Sequence, residues 1–136
     1  SVGTRFPAWA TSMGRVLLGA LSELELQAYF ESVQLQRFTE RSIGSVDQLR
    51  SEIDMARSKG WAMVSQELEE GLRGVAVPVW RGNEIVAAVN VSLQTHRAPS
   101  EAIEKSVVPL LQEAARQIGA DYGGRNLRAP KFEGRG

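Results

Sequence analysis

The chain has 136 residues, 43% of them hydrophobic, and its 16 Lys and Arg balance 16 Asp and Glu. That length suits one domain with its own core, the zero formal charge leaves no basic surplus for nucleic acid, and the absence of cysteine removes disulfides, thiolate catalysis and cysteine-bearing metal sites. No apolar run approaches the roughly 18 residues that span a bilayer and the opening SVGTRFPAW lacks the form of a secretion signal, so the expectation is a soluble, cytoplasmic domain with no membrane partner.

Ser1 to Trp9 reads like the middle of a domain rather than its beginning. Thr11 or Ser12 then caps a short helix to about Ala20, with Val16, Leu17 and Leu18 as its apolar part. Ser22 and Glu25 make a capping box for a second helix to about Ser32, and Leu21 and Leu26 are spaced for a hydrophobic staple. A third helix opens at Ser45, with Gln48 as box partner, and closes on Arg57, Lys59 and Gly60, cations and then glycine at the carbonyl end.

Beyond Gly60 the period changes to two. Trp61 to Gln66 reads as a strand, Glu67 to Gly71 as a solvated loop whose acids have Arg73 within reach, and Gly74 to Trp80 with Glu84 to Leu93 as a hairpin. A two-residue turn would pair Val79 with Val86 and scatter polar groups into the valine stripe. A three-residue loop, Arg81 to Asn83, pairs Val79 with Ile85, Val77 with Ala87 and Val75 with Val89, and is the expected register. It places the large apolar side chains on one face and Gly74, Ala76, Pro78, Val86, Ala88, Asn90 and Ser92 on the other.

The last helix, about Ser100 to Tyr122, carries Ile103, Val107, Leu110, Leu111, Ala114, Ile118 and Tyr122 on one side. Pro109 inside it removes a backbone donor and predicts a bend near Lys105. Residues 123–136, with four Gly, one Pro and a charge of +3, read as a flexible tail. Helices plus an antiparallel hairpin make an α+β domain with helices against a sheet.

Catalytic chemistry is missing from the pattern. The single histidine, His96, sits in a polar stretch, and no carboxylate spacing suggests a metal. No nucleophile elbow, phosphate loop or dinucleotide fingerprint occurs, so neither an enzyme nor a bound cofactor is expected. What carries information is the small face of the hairpin, where glycine, alanine and proline leave volume beside one amide, Asn90, and one hydroxyl, Ser92. Two readings fit it: a ligand pocket, apolar with a few placed polar groups, or close packing of a neighbouring element. The start of the first helix, Thr11-Ser12-Met13-Gly14, offers unpaired N–H groups suited to a carboxylate, with Phe6, Trp9 and Met13 nearby as apolar surface.

The stretches GTRFPAWATSMGRVLL, GWAMVSQELEEGLRGVAVPV and VAAVNVS, in this order and spacing over about residues 2 to 122, resemble the effector-binding domain of the IclR family of bacterial transcriptional regulators. The wording is closest to the PcaR/PcaU/PobR branch, which controls catabolism of protocatechuate and 4-hydroxybenzoate through the β-ketoadipate pathway. The resemblance implies a GAF-like fold with a curved antiparallel sheet over residues 1–122, and a small carboxylic-acid effector. It further implies assembly as homodimers or homotetramers, and DNA binding only through a winged helix-turn-helix that would precede Ser1. It places the effector carboxylate at Ser12 and Met13 beside Phe6, and the pocket at Val64, Leu72, Gly74, Asn90 and Ser92. Members that bind very small acids carry Asp where this chain has Val64 and Cys where it has Gly74. Both differences favour a larger, less polar effector, an aromatic acid or a six-carbon keto diacid. An interaction module without its own ligand is the alternative.

Overall fold

Local chemistry sets the helix ends. In the computed structural model, which describes residues 7–125, a 3-10 turn at Ala8–Ala10 runs into α1 (Ser12–Leu18), capped by Thr11, whose hydroxyl accepts from Gly14 N–H at 2.9 Å. The Ser22–Glu25 box opens α2 (Glu23–Ser32) with both reciprocal bonds formed. Ser45 caps α3 (Val46–Lys59) by accepting from Gln48 N–H, while the Gln48 side chain reaches past the cap to Gly44 N–H at 3.1 Å. Gly60, at φ 83°, ends that helix in the left-handed region that glycine enters at no steric cost.

Three antiparallel strands follow in the order β1-β2-β3: β1 (Ala62–Ser65), β2 (Leu72–Arg81) and β3 (Glu84–Gln94). The hairpin register differs from the expected one. Its turn is the two-residue Gly82-Asn83, closed by Arg81 opposite Glu84, with Gly82 at φ 62°. A bulge then lies between Trp80↔Ile85 and Val79↔Ala87, so Val79 faces Ala87 rather than Ile85, Val77 faces Val89 and Val75 faces Val91. The slip amounts to two residues, which preserves the faces. Only Ile85 and Val86 exchange sides: Val86 packs with the valine cluster, and Ile85 lies beside Pro78 and Trp80. The bulge resolves the conflict between a tight Gly-Asn turn and a valine stripe that has to stay buried.

Helices cover both sheet faces. The valine face, Val75, Val77 and Val79, packs against Ala98, Ile103, Val108 and Ala115. The small face meets α1, where Val16 and Met13 lie on Ala62, Ala76 and Ala88 together with Ala56 of α3. A separate cluster of Trp9, Leu18, Leu26, Phe30, Ile43, Leu49 and Ile53 joins the 3-10 turn to α1, α2 and α3.

The C-terminal helix begins as α4 (Ser100–Ala102), widens into a π turn at Ile103–Val107 and continues as α5 (Val108–Arg125), past the Tyr122 end expected from sequence. Val108 N–H bonds to Ile103 C=O, five residues back, so the widened turn falls immediately before Pro109. Proline cannot donate and its ring crowds the carbonyl of Lys105, which places the irregularity where a bend was expected. The extra residue also rotates the helix. Leu110 is 72% exposed and Ile118 44%, with Ala114 also exposed, while the buried line runs through Ile103, Val108 and Ala115 with Leu111 half-buried. The expected stripe is therefore corrected after Val107. The side chain of Tyr122, and the remainder of the expected tail from 126 on, lie outside the described residues.

Candidate functional site

The strand register lays two cross-strand rows on the small face, Val64–Gly74–Ser92 and Ala62–Ala76–Asn90. Part of that face is closed by helix packing, since Ala62, Ala76 and Ala88 sit beneath Met13 and Val16. The rest is a cavity of about 320 Å³. Its floor holds Val64, Gly74, Asn90 and Ser92, one wall is Ala10, Thr11 and Ser12, and the opposite wall is Leu68, Glu69, Leu72 and Arg73. The face is thus closed by packing over one half and open as a cavity over the other.

Ser12 is the most deeply buried polar residue of the lining. It is 3% exposed, and its hydroxyl makes no hydrogen bond among the described residues. A Cβ on Gly74 would come within 3.0 Å of Ser12 Oγ, so glycine at this position leaves the hydroxyl unobstructed on that side. In the same turn Thr11 takes the Gly14 and Arg15 N–H groups, leaving those of Ser12 and Met13 as the donors of α1 without a partner among the described residues. Asn90 and Ser92 are exposed and offer an amide and a hydroxyl from the solvent side.

Six of the eight residues read from sequence, Ser12, Val64, Leu72, Gly74, Asn90 and Ser92, are brought together here. Met13 is not among the lining side chains, since it packs in the Val16–Ala76 cluster and only its N–H points to the turn. Phe6 lies outside the described residues. Trp9, weighed as an apolar wall, is 2% exposed and stacks on Phe38 in the core.

The loop after β1 keeps Glu69 and Glu70 exposed, as expected of a solvated loop, but Glu67 is drawn in. Glu67 pairs with Arg15, through Nη2–Oε1 at 2.5 Å and Nη1–Oε2 at 3.2 Å, and not with Arg73. Arg73 instead donates to Ser65 Oγ at 3.0 Å and to the Ala98 carbonyl at 2.7 Å. Leu68 and Glu69 become cavity wall, which an acidic run in sequence gave no reason to expect. Nor did the sequence mark Arg15, which sits mid-helix among apolar residues yet is 1% exposed. Among the described residues no group of three or more His, Asp and Glu is placed to hold a metal, and no helix is long and apolar enough to cross a membrane.

Residues 1–120 match the family model described as bacterial transcriptional regulator IclR C-terminal. The chain belongs to the IclR family. It is similar to the Pca regulon regulatory protein of Pseudomonas putida, 39% identical over 119 residues, which are 87% of this chain and 41% of that protein. The transcriptional regulator KdgR of Escherichia coli K12 is 37% identical over 123 residues, 90% of this chain and 46% of its own length. The chain thus spans less than half the length of these curated relatives. Among solved structures, a transcriptional regulator from Rhodococcus sp. RHA1 superposes with a TM-score of 0.88 at 42% identity, covering 93% of this chain and 52% of that one. A double mutant of the inducer-binding domain of PobR from Acinetobacter, solved with 3-hydroxybenzoic acid, gives a TM-score of 0.79 at 32% identity, covering 88% and 69%. The fold is therefore the GAF-like effector domain of the family, one of transcriptional regulators rather than enzymes.

Proposed function

We propose that this IclR-family effector domain binds a small organic carboxylic acid, an aromatic acid or a keto diacid, and through it controls genes of aromatic-acid catabolism. The observation that carries the reading is the cavity of about 320 Å³ lined by Ser12, a residue 3% exposed whose hydroxyl is not taken by another described residue. A carboxylate placed there accepts from Ser12 Oγ and from the Ser12 and Met13 N–H groups. Val64, Leu72 and Gly74 then enclose the apolar body, and Asn90 and Ser92 meet its distal polar groups. The volume lies at the lower end of ligand pockets and suits a single ring or a six-carbon chain. Valine at 64 and glycine at 74 supply the apolar surface and space that such an effector needs.

In this reading ligand favours one of two conformations and thereby changes how a DNA-binding domain outside this chain sits on its operator in the bacterial cytoplasm. Relatives that regulate a pca regulon and activate p-hydroxybenzoate hydroxylase transcription support the pathway. Self-association as a dimer or tetramer is part of the same reading, and the exposed Leu110 and Ile118 offer apolar surface for it.

Thermal unfolding with protocatechuate, 4-hydroxybenzoate, 3-hydroxybenzoate, β-ketoadipate, glyoxylate and pyruvate tests the proposal. A ligand at about 100 times its dissociation constant adds about 2.7 kcal/mol, several degrees for a domain of this size. Shifts with the larger acids, lost in Asn90→Leu, are expected. A shift with glyoxylate alone overturns the size argument, and an Asn90→Leu variant that changes oligomeric state instead points to an interaction face.

A further inference from the structure

The wall formed by Leu68 and Glu69 belongs to a six-residue loop that begins in a costly conformation. Gln66 sits at φ 60°, a left-handed region that non-glycine residues enter rarely and keep only where their surroundings over-determine it. Three groups from outside the loop supply that determination. Arg15 of α1 grips the Glu67 carboxylate with both terminal nitrogens, while its Nε donates to the Trp9 carbonyl at 3.1 Å and so faces back into the core. Thr39 Oγ1 donates to the Gln66 carbonyl at 2.5 Å, and Ser42 Oγ to the Glu67 carbonyl at 2.7 Å.

We infer that Arg15, Thr39 and Ser42 are positioning residues which hold the 66–71 loop as the cavity's outer wall, so that effector affinity depends on groups no effector atom touches. Arg15 lies one turn along α1 from Ser12. The helix that presents the carboxylate site therefore also carries the group that grips the opposite wall. Opening the cavity by moving the loop means separating the Arg15–Glu67 pair, 1% and 15% exposed, and that cost favours the closed wall. The hydroxyls of Thr39 and Ser42 act on the backbone of the same two residues and fix the carbonyl directions that the strained Gln66 requires.

The affinity part of this inference rests on the proposed acid effector, whereas the loop part does not, and the experiment separates them. Hydrogen exchange is followed at the Gln66, Gly71 and Leu72 amides, which bond to Leu72 O, Gln66 Oε1 and Glu69 O, and 3-hydroxybenzoate binding is measured by calorimetry. The proteins are the full chain, Glu67→Gln, Thr39→Val and, as control, Val108→Ala in the valine cluster on the other sheet face, which no residue of the loop packs against. Glu67→Gln and Thr39→Val should speed exchange at those three amides about tenfold or more and weaken the probe by a similar factor. Val108→Ala should do neither at a comparable fall in Tm. If Glu67→Gln fails to fold, Thr39→Val decides, because it removes a hydroxyl and leaves the buried charge pair intact. Unchanged exchange overturns the inference, and so does faster exchange with unchanged affinity. A wild-type chain that binds none of the acids defeats the proposed effector class, and the exchange result alone then upholds or overturns the clamp.

Discussion

At Gly14 the 3-10 turn crosses α1 so closely that a Cβ would lie 2.0 Å from the Ala8 carbonyl oxygen and 2.5 Å from its Cα. Both are backbone atoms and cannot rotate away. Gly14→Ala should therefore destabilise the chain by about 3 kcal/mol, the upper end of overpacking costs, whereas Gly44→Ala, which meets open space, should stay within about 0.5 kcal/mol. Urea unfolding of the two variants checks the contrast, and equal midpoints would refute the close approach. Tyr29 is a different kind of residue feature. Its hydroxyl is buried near the Trp9 backbone, and that burial raises its pKa above the ordinary phenol value, outweighing the backbone contact that lowers it.

Among the elements, the C-terminal helix is the one whose surface differs most from its sequence pattern. The π turn ahead of Pro109 moves Leu110, Ala114 and Ile118 out of the sheet interface and brings Val108 and Ala115 in. Gly119 completes the buried line, since a Cβ there would come within 2.5 Å of the Trp80 carbonyl oxygen. For Ile103→Ala, which empties a fully buried site, about 2–5 kcal/mol of destabilisation is expected. Leu110→Ala, on the exposed side, should cost less than about 0.5 kcal/mol. Denaturation midpoints at unchanged m-value test this, and a large loss at Leu110 would return it to the interface. On the same outer surface Glu113 is held down to about pKa 2 by its hydrogen bonds to Arg116 and then Gln117.

In the whole molecule the sheet separates two apolar regions. One is the valine face under the C-terminal helix, and the other is the helical cluster around Leu26, Leu49 and Ile53. The cavity lies between α1 and the small sheet face, bounded by elements from the helical side. Substitutions in the two clusters share no packing partners, so Ile53→Val and Val77→Ala should add within about 0.5 kcal/mol in the double variant. A coupling above about 1 kcal/mol, measured by a double-mutant cycle, would mean that the sheet transmits packing changes between its faces.

Features set by neighbours along the chain were legible in the residues alone. The Ser22–Glu25 box, the Ser45 cap, the Gly60 terminus and the irregularity before Pro109 depend on contacts within one turn, and the period-two alternation of β2 and β3 assigned both sheet faces except at Ile85 and Val86. The small face with Gly74, Asn90 and Ser92 was therefore visible, and with it three of the four residues of the cavity floor. What depended on long-range competition was not. The tight Gly82-Asn83 turn and the valine stripe could be reconciled only by a bulge, whose stability comes from packing against the helix that follows. The π turn was foreshadowed by Pro109, but the rotation of everything after it depends on which residues the sheet can accept. Arg15 and Glu67 are 52 positions apart. No local pattern distinguishes a buried, bidentate carboxylate from a solvated one in an acidic loop, because the difference lies in the desolvation that only the assembled α1, loop and 38–42 turn impose.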